Sequence, residues 1–274
     1  MKKKDITVII INYNTPKLTV DCVRSVLKDV GKLKVEVIVV DNGSEKDSIK
    51  VLEQICSAFD EVTLTKNIEN KGFSVANNQG INISKGKYIL LLNSDTIVKK
   101  GALSELFDFA EKTPVAGVVG ARLLNPNGSL QPSCMHFPTI LRAIKEYWLG
   151  EKSSFEKFVP KGKNPVEVEA VVGAAFLITP KALKKAGMLN EKYFMYFEDL
   201  DYCRKVGKKG LKVYYLPEAE VVHYHGASGR NVADSANQWR RLIPSSKIYH
   251  GLINYYLLNF VLWSGQKWKK YISH

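Results

Sequence analysis

The chain has few cysteines and a shortage of acidic residues for its length of 274 residues. Its four cysteines are scattered without a Cys-x-x-Cys pair, which argues against a disulfide framework and predicts reduced thiols in the core. The 27 acidic residues are outnumbered by 40 lysines and arginines, so the formal net charge is +13. Such an excess favours a polyanionic partner, and composition alone leaves nucleic acid, a sugar nucleotide and an anionic membrane surface open.

A secretory signal is also missing. The first apolar run, residues 6–11, follows three lysines but is too short for a signal peptide and has no cleavage site. We therefore expect the protein to stay in the cytosol.

A spanning hydrophobic segment is absent from the C-terminal region as well. Residues 248–266 contain no Asp, Glu, Lys or Arg, but His250, Asn254 and Asn259 interrupt a stretch that would need about 20 mostly apolar residues to cross a bilayer. Tryptophans followed by lysines at 263–270 are typical of a helix lying in the lipid interface. The alternative is a helix docked on the core or on the second subunit of a homodimer.

Two apolar runs, in contrast, are unusually clear, and each ends at an acid. Residues 35–41 end at Asp41 and residues 88–95 end at Asp95. Between the apolar runs at 6–11 and 35–41, apolar residues recur at helical spacing, which predicts a β-α-β unit with parallel strands. The carboxyl ends of such strands form the edge where open α/β sheets bind ligands, so we expect a nucleotide-bound metal there.

The turn after the first strand narrows the class of enzyme. Residues 12–16 read Asn-Tyr-Asn-Thr-Pro. They lack the Gly-x-Gly-x-x-Gly of a Rossmann dehydrogenase and the loop rich in Gly and Lys or Arg of a sugar-phosphate nucleotidyltransferase. Both classes are therefore disfavoured.

The middle of the chain supplies further elements. Residues 70–80 predict a helix whose N-terminus at Gly72 meets a phosphate, or else a loop followed by a well-capped helix. A helix at 102–112, strands at 115–119 and 171–178, and a short helix from Pro180 follow. Residues 138–165 show no clean period and are interpreted as an insertion.

Acidic residues cluster at the start of one predicted helix. Glu198, Asp199 and Asp201 directly follow the aromatic residues of 194–197. Capping of the helix is one explanation. Three acids in four residues exceed what a cap needs, and a carboxylate beside a partly dry aromatic pocket can act as a general base.

Two histidines and an arginine complete the candidates. His223 and His225 alternate on a strand-like stretch, so both point to one face and suit ligation. Arg230 follows in a polar segment, where it either holds a phosphate or acceptor or is solvated surface.

Taken together, an ordered set of motifs across about residues 5–230 resembles family 2 glycosyltransferases of the rhamnosyltransferase-like branch. The set comprises Val-Ile-Ile-Ile-Asn-Tyr-Asn at 8–14, Val-Val-Asp-Asn-Gly-Ser at 39–44, Asn-Lys-Gly-Phe at 70–73, Leu-Asn-Ser-Asp-Thr at 92–96, Gly-Ala-Ala-Phe at 173–176, Phe-Glu-Asp-Leu-Asp at 197–201, and His223. The resemblance implies an α/β protein of the GT-A fold, with a Rossmann-like, mixed but mostly parallel sheet flanked by helices. It implies a nucleotide-binding half at about 1–120, an acceptor half at about 121–230, and a C-terminal helical segment at 231–274 that is a candidate for membrane association.

The resemblance also implies roles for individual residues. Nucleotide binding falls to Asn12, Tyr13, Asn14, Asp41, Asn42, Lys71, Gly72, Asn93, Ser94 and Asp95. Asn93 replaces the first acid of the family's Asp-x-Asp motif, so Asp95 is left as the anionic ligand of Mg²⁺ or Mn²⁺, with His223 as the second ligand. Asp199 matches the family's base, with Glu198 as the alternative. Acceptor binding is assigned to Asp201, His225 and Arg230.

The implied activity is inverting transfer of a sugar from a nucleotide-sugar donor, with L-rhamnose from dTDP-rhamnose as the best match. The acceptor would be a lipid-linked saccharide in cell-surface polysaccharide synthesis, and no nucleic acid would be bound. The enzyme would lie peripherally on the inner face of the cell membrane. The alternatives are a sugar-phosphate nucleotidyltransferase and a non-catalytic basic module that binds membranes or polyanions.

Overall fold

A computed structural model describes residues 4–224 and 238–272 of the chain. The strands in these residues are β1 Lys4–Asn12, β2 Val35–Asn42, β3 Val62–Asn67, β4 Gly86–Asn93, β5 Thr96–Val98, β6 Ala116–Leu124, β7 Cys134–Met135, β8 Val166–Val168, β9 Ala170–Val171, β10 Ala175–Ile178 and β11 Lys212–His223. The helices are α1 Pro16–Lys28, α2 Lys46–Ser57, α3 Phe73–Ile83, α4 Ala102–Lys112, α5 Ile140–Tyr147, α6 Pro180–Ala186, α7 Glu198–Lys208, α8 Gln238–His250 and α9 Leu252–Ile272.

One large sheet organises the molecule, with strand order β3-β2-β1-β4-β10-β6-β11-β5 and β8 also paired with β11. Strands β1 to β4, β6 and β11 run in one direction, whereas β10, β5 and β8 run in the other. β7 and β9 form a separate two-stranded sheet. The predicted mixed, mostly parallel sheet is confirmed.

Alternation along the strands gives the sheet two apolar faces. In β1, the side chains of Val8 and Ile10 enter one core layer and that of Ile9 enters the other, all with no exposed surface. Helices α1, α2 and α4 cover the first layer, and α3, α6 and α7 cover the second. The central strands are therefore buried on both faces, which explains why they read as uninterrupted apolar runs.

The parallel register brings the ends of three strands together. Asn12 pairs with Asp41 across β1 and β2, and Ile11 pairs with Asn93 across β1 and β4. One boundary differs from the prediction, because β4 ends at Asn93 and not at Asp95. The Thr96 hydroxyl donates to the Asn93 carbonyl at 2.7 Å, which closes a turn that contains Asp95.

Residues 138–165 include a helix that the sequence did not predict. The hydroxyl of Thr139 accepts a hydrogen bond from the Arg142 N–H and caps α5. The helix is only eight residues long, too short to reveal a period, and it is stabilised by packing on α9. There Gly265 lies against Tyr147, leaving no room for a Cβ, and Trp148 stacks on Trp268 with ring centroids 5.9 Å apart.

The C-terminal helices contact the rest of the protein at two places. In α8 the Ser245 hydroxyl donates to the Met195 carbonyl at 2.7 Å, and the Tyr249 ring lies 4.1 Å from the Arg204 guanidinium of α7. α9 packs one side on α5 and exposes the other. No helix within the described residues combines the length and apolar character needed to cross a membrane.

Asp29, just after α1, ties that helix to the start of α4. Its buried carboxylate accepts hydrogen bonds from the backbone N–H groups of Gly101 and Leu103, which would otherwise lack partners at a helix N-terminus. We expect Asp29→Ala to lower the free energy of unfolding by about 1–2 kcal/mol in denaturant titrations. Asp108→Ala, an exposed position in α4, is the matched control and should change it little; equal effects of both variants would contradict the capping role.

Candidate active site

Asn12 and Asp41 form the centre of a buried polar network at the ends of β1 and β2. The Asn12 amide donates to the Asp41 carboxylate at 2.7 Å and to the Ser44 hydroxyl at 2.9 Å, and the Ser44 N–H donates to the other Asp41 oxygen at 3.1 Å. The Thr19 hydroxyl donates to the Asn12 amide oxygen at 2.7 Å. Asp41 has no exposed surface, so these hydrogen bonds replace the water that its charge has lost.

The predicted neighbours of this network are present. Asn14 has φ of 54°, and its side-chain oxygen accepts from the Glu45 N–H at 2.8 Å, while its own N–H donates to Ser44 at 2.9 Å. Tyr13 is half-buried. Gly43 has φ of 81°, and a Cβ there would lie 2.4 Å from the Glu69 backbone. The two loops therefore pack too closely for any side chain at that position.

Asn42 connects this edge to the loop before α3. Its amide nitrogen donates to the side-chain oxygen of Asn70 at 2.9 Å, and its oxygen accepts from the Lys71 N–H at 3.1 Å. The Gly72 N–H donates to the Asn70 side chain at 3.0 Å, and the Phe73 N–H donates to the Phe194 carbonyl at 2.7 Å.

These bonds correct one expectation. The N–H groups of Lys71, Gly72 and Phe73 are already bonded to protein acceptors, so they do not offer the phosphate contact that we expected at Gly72. The positive φ of Gly72, 88°, instead permits close approach to Phe194, whose carbonyl oxygen lies 2.7 Å from where a Cβ would be. The Lys71 side chain is exposed.

Asp95 and His223 lie close together although they follow from two strands that are not neighbours in the sheet, β4 and β11. Asp95 lies in the turn after β4, His223 ends β11, and both are almost fully buried. The Nε2 of His223 lies 3.4 Å from Asp95 Oδ1 and 3.5 Å from the Asn93 amide nitrogen. Ser94 is buried beside them, 3.4 Å from the Thr15 hydroxyl.

The pair Asp95 and His223 fits one divalent cation. Two ligand atoms at right angles around an octahedral Mg²⁺ or Mn²⁺ are about 3 Å apart, close to the 3.4 Å observed. A carboxylate and an imidazole suit Mn²⁺ in particular. Among the described residues no group of three or more acidic, histidine or cysteine side chains is placed to hold a metal. An ion here would therefore need further ligands from substrate phosphates and water.

Asp199, at the start of α7, is held next to the same strand ends. Its Oδ2 accepts from the Gly173 N–H at 3.0 Å and its Oδ1 from the Leu200 N–H at 2.8 Å. The residue after Gly173, Ala174, accepts a hydrogen bond from the Asn93 N–H at 3.0 Å. Two adjacent residues thus contact both the Asn93–Asp95 turn and the candidate base, which places the two within one site.

The adjacent carboxyls of Glu198 and Asp199 differ in environment. Burial, followed by the charge of Asp199, raises the pKa of Glu198 to about 8, and its Oε2 has no hydrogen-bond partner among the described residues. Burial also raises the pKa of Asp199, but Lys157 and backbone N–H donors oppose the rise. Asp199 is the candidate proton acceptor because both of its oxygens are oriented by backbone N–H donors, whereas one oxygen of Glu198 has no hydrogen-bond partner among the described residues.

The loop before these acids is strained. Tyr196 and Phe197 both have positive φ, 69° and 68°, a conformation that costs non-glycine residues energy and that occurs at functional sites. The Phe197 ring packs on Tyr249 with ring centroids 5.2 Å apart. The predicted aromatic surroundings of the acids are thus formed partly by α8.

Of the three residues predicted to bind the acceptor, the structure describes one, Asp201. Asp201 is buried and its carboxylate lies 3.0 Å from the Arg204 guanidinium, which in turn contacts α8. This geometry gives Asp201 a structural role in joining α7 to α8 and does not favour acceptor contact. His225 and Arg230 lie outside the described residues.

A groove of about 770 Å³ lies beside α5, lined by residues of that helix and of the segments around it, including His136, Arg142, Lys145, Lys152 and Phe158. Glu169 forms part of its wall. Burial alone would raise the pKa of Glu169, but hydrogen bonds from Arg142, the Phe137 N–H and His136 hold it at about 2. Phe158 follows Lys157, whose positive charge acts on Asp199.

Some contributors were not assigned a role from sequence. Gly173 and Ala174 belong to the Gly-Ala-Ala-Phe motif at 173–176, but they act through backbone atoms, which the motif marks only by small residues. Gln131 contacts His223 Nδ1 at 2.7 Å across 92 positions, and no local pattern predicts such a contact.

Comparison with known proteins agrees with this geometry. Residues 7–171 match the family model "Glycosyl transferase family 2". The chain is 28% identical over 218 residues to an N-acetylglucosaminyl-diphospho-decaprenol L-rhamnosyltransferase of Mycobacterium tuberculosis, a match that covers 73% of this chain and 70% of the relative. It is 27% identical over 219 residues to the rhamnosyltransferase WbbL of Escherichia coli K12, covering 74% and 78% of the two chains.

Two solved structures share the fold. GalNAc-T7, crystallised with UDP, GalNAc and Mn²⁺, superposes with a TM-score of 0.66 at 17% identity and covers 81% of this chain but only 43% of its own. Staphylococcus aureus TarS 1–349 gives a TM-score of 0.57 at 16% identity, covering 83% and 63%. The fold is GT-A.

The buried carboxyl of Glu198 predicts a pH-dependent stability. A pKa that folding raises from the ordinary value of about 4.5 to about 8 stabilises the folded state fully below the lower value, and this contribution is lost as pH rises through 8. We expect Glu198→Gln to raise the melting temperature relative to the parent protein at pH 9, with little difference at pH 5. Glu218→Gln, an exposed carboxyl on β11, is the control; a Glu198→Gln variant less stable at pH 9 would contradict the unpartnered buried carboxyl.

Proposed function

Because the chain belongs to glycosyl transferase family 2, we propose that it is an inverting, metal-dependent enzyme that transfers a sugar from a nucleotide-sugar donor to a saccharide hydroxyl. The observation that carries the proposal is the convergence on Gly173 and Ala174. Through them the turn bearing Asp95 and the carboxylate of Asp199 are held in one site. A single base beside a diphosphate site suits direct displacement at the anomeric carbon.

The donor is assigned to the half formed by about residues 1–120. The network of Asn12 and Asp41 faces the nucleoside, with Tyr13 and Asn14 beside it. Asn42, Lys71 and Gly72 shape the neighbouring wall, and the turn of Asn93, Ser94 and Asp95 faces the diphosphate. Asp41 supports this assignment, since its carboxylate is fixed by amide and backbone donors and not by a lysine or arginine.

Asp95 and His223 are assigned to the divalent ion, Mg²⁺ or Mn²⁺. Once bound, such an ion would stabilise negative charge on the departing diphosphate. Asp199 then has the complementary task of removing the proton of the acceptor hydroxyl. Its two oxygens are fixed by the N–H groups of Gly173 and Leu200, so the base is oriented before the acceptor arrives.

The acceptor is assigned to the half formed by about residues 121–230, in the groove beside α5. The names of the relatives support L-rhamnose as the transferred sugar, and that of the mycobacterial relative supports a lipid-linked saccharide as acceptor. We propose dTDP-rhamnose as the donor and cell-surface polysaccharide synthesis as the process. Such an acceptor carries a phosphate-linked lipid. In the groove Arg142 pairs with Glu169. Lys145 pairs with Glu151, so Lys152 is the candidate contact for that phosphate.

The function is tested with a panel of nucleotide sugars, Mn²⁺ and a lipid-linked saccharide, with product detected by mass spectrometry. We expect turnover with dTDP-rhamnose and its loss on chelation of the metal.

Asp199→Asn should lower kcat at least about 100-fold because the proton acceptor is removed, while the Kd for dTDP stays unchanged.

Glu198→Gln is the matched variant, since it removes the neighbouring carboxyl. It should retain far more activity than Asp199→Asn, and the reverse result would assign the base to Glu198. Absence of transfer with every donor, together with binding to polyanions, would instead support the non-catalytic alternative. Release of a nucleoside triphosphate from pyrophosphate and a nucleotide sugar would indicate a nucleotidyltransferase.

We further propose that the protein works peripherally on the inner, cytoplasmic face of the membrane through the C-terminal segment 231–274. The outer face of α9 supports this. Its apolar residues that are at least half exposed cover an arc of about 140° at 100° per residue, opposite the side packed on α5. They are Leu252, Ile253, Tyr256, Leu257, Phe260 and Trp263.

Charge favours an anionic bilayer as the partner of this outer face. Residues 238–272 contain no acidic residue. Lys247 lies 5.3 Å and 5.7 Å from the ring centroids of Tyr255 and Tyr256, and Lys267 follows Trp263 by one helical turn. Exposed aromatic and basic residues together are typical of a helix in the lipid interface.

We expect the full chain to float with vesicles containing anionic phospholipid and not with neutral vesicles. Phe260→Ser/Trp263→Ser should abolish flotation by removing the apolar anchor, whereas Val51→Ser/Ile83→Ser, at exposed apolar positions of α2 and α3, should not. Unchanged flotation of the first variant would refute the assignment. A dimer in gel filtration that this variant converts to monomer would show that a second subunit covers the face instead.

A further inference from the structure

We propose that Gln131 is a positioning residue that fixes the tautomer of His223, so that the ring presents the Nε2 lone pair toward Asp95. The consequence for metal binding rests on the proposed role of His223 as a ligand, whereas the tautomer follows from hydrogen bonds alone. Gln131 lies in the loop that follows β6, is 9% exposed, and is anchored by a 2.9 Å hydrogen bond from its N–H to the Leu123 carbonyl.

The side-chain amide of Gln131 can adopt only one orientation. Its nitrogen donates at 3.2 Å to the backbone carbonyl of His223 and at 2.9 Å to the side-chain oxygen of Asn125. A backbone carbonyl only accepts hydrogen bonds, so the amide nitrogen must face it. Asn125 is oriented in turn, because its own amide nitrogen donates to Ser129 and to the Leu130 carbonyl.

The orientation of the amide determines where the imidazole carries its proton. With the nitrogen committed, it is the amide oxygen of Gln131 that lies 2.7 Å from His223 Nδ1. An amide oxygen has no proton to give, so Nδ1 must be the donor. In the neutral ring the lone pair then belongs to Nε2.

The position of Nε2 shows how this tautomer would serve metal binding beside Asp95. Nε2 lies 3.4 Å from Asp95 Oδ1 and 3.5 Å from the Asn93 amide nitrogen. The Asn93 amide can donate to a lone pair on Nε2. Metal-binding histidines commonly donate their second ring N–H to an oxygen acceptor, which orients the ring and selects the tautomer. Gln131 supplies that acceptor from a loop more than 90 positions away in sequence.

The tautomer is tested directly by ¹⁵N NMR of the imidazole nitrogens in the metal-free full chain at pH 8, with His223→Ala used to assign the signals. We expect a neutral ring protonated on Nδ1 in the parent protein. Gln131→Leu removes the acceptor and should shift the ring toward the Nε2-protonated form. Gln131→Glu, which restores an oxygen acceptor, should retain the Nδ1-protonated form.

The consequence for metal binding is measured by electron paramagnetic resonance titration of Mn²⁺ in the presence of dTDP. Loss of the acceptor should weaken Mn²⁺ binding about 10–100-fold in Gln131→Leu, and Gln131→Glu should retain affinity near that of the parent protein. Gln54→Leu, an exposed amide in α2, is the control. Circular dichroism checks that each variant is folded.

Two results would overturn the proposal. A parent His223 that is protonated on Nε2, or on both nitrogens at pH 8, contradicts the tautomer assignment. Mn²⁺ affinity that is undetectable in the parent protein, or equal in the parent and in folded Gln131→Leu, contradicts the positioning role. Neither measurement uses a sugar donor, so failure of the transfer assay with the expected Mn²⁺ results would count against the proposed reaction and leave this inference intact.

Discussion

The site depends on one structural constraint, the insertion of β10 antiparallel between β4 and β6. This pairing joins the parallel strands of the first half to the strands of the second. It also places Gly173 and Ala174, just before β10, against the end of β4. The Asn93 N–H is bonded to one and the Asp199 carboxylate to the other. The Asn93–Asp95 turn and Asp199, which lie in distant parts of the chain, are thereby brought together through backbone atoms of Gly173 and Ala174.

The apolar runs made much of this arrangement predictable. Uninterrupted apolar strands are typical of the parallel centre of an α/β sheet, and parallel strands align their carboxyl ends. The proximity of Asn12, Asp41 and Asn93 therefore follows from three hydrophobic segments and one amphipathic helix. The start of α7 was also predictable, because acids follow an aromatic cluster there.

Other features depend on contacts that no local pattern contains. The end of β4 lies two residues before Asp95 because the Thr96 hydroxyl closes a turn onto Asn93. The N–H groups at Gly72 are occupied by Asn70 and Phe194, of which Phe194 lies more than 100 positions away. Asp201 is paired with Arg204 and thereby linked to α8. Gln131 likewise gains its position only through the tertiary fold. Motifs thus located the site, and tertiary hydrogen bonds decided which polar atoms remain available within it.

Four buried or partly buried carboxyls show how environment separates roles in one site. Asp41 is surrounded by neutral donors and remains a fixed acceptor. Asp95 faces an imidazole, and this pair suits a cation. Glu198 has one oxygen without a hydrogen-bond partner and a raised pKa, so it is largely neutral at pH 7. Asp199 keeps backbone donors and a nearby lysine. Burial raises the pKa of both Glu198 and Asp199, so it is the two oriented oxygens of Asp199, and not a difference in pKa, that favour this residue as the candidate proton acceptor.

The C-terminal helices α8 and α9 link the loop before Asp199 to the exposed apolar face of α9. α8 holds the strained loop before the base, since Ser245 bonds to the Met195 carbonyl and Tyr249 packs on both Phe197 and Arg204. Only Gly251 separates α8 from α9. Contact of a bilayer with the outer face of α9, as proposed above, would therefore act one helix away from Asp199. α5, packed on the opposite side of α9, lines the groove proposed for the acceptor. The same two C-terminal helices thus stabilise the loop before Asp199 and carry the exposed apolar face, so a change at that face has a direct structural route to the loop.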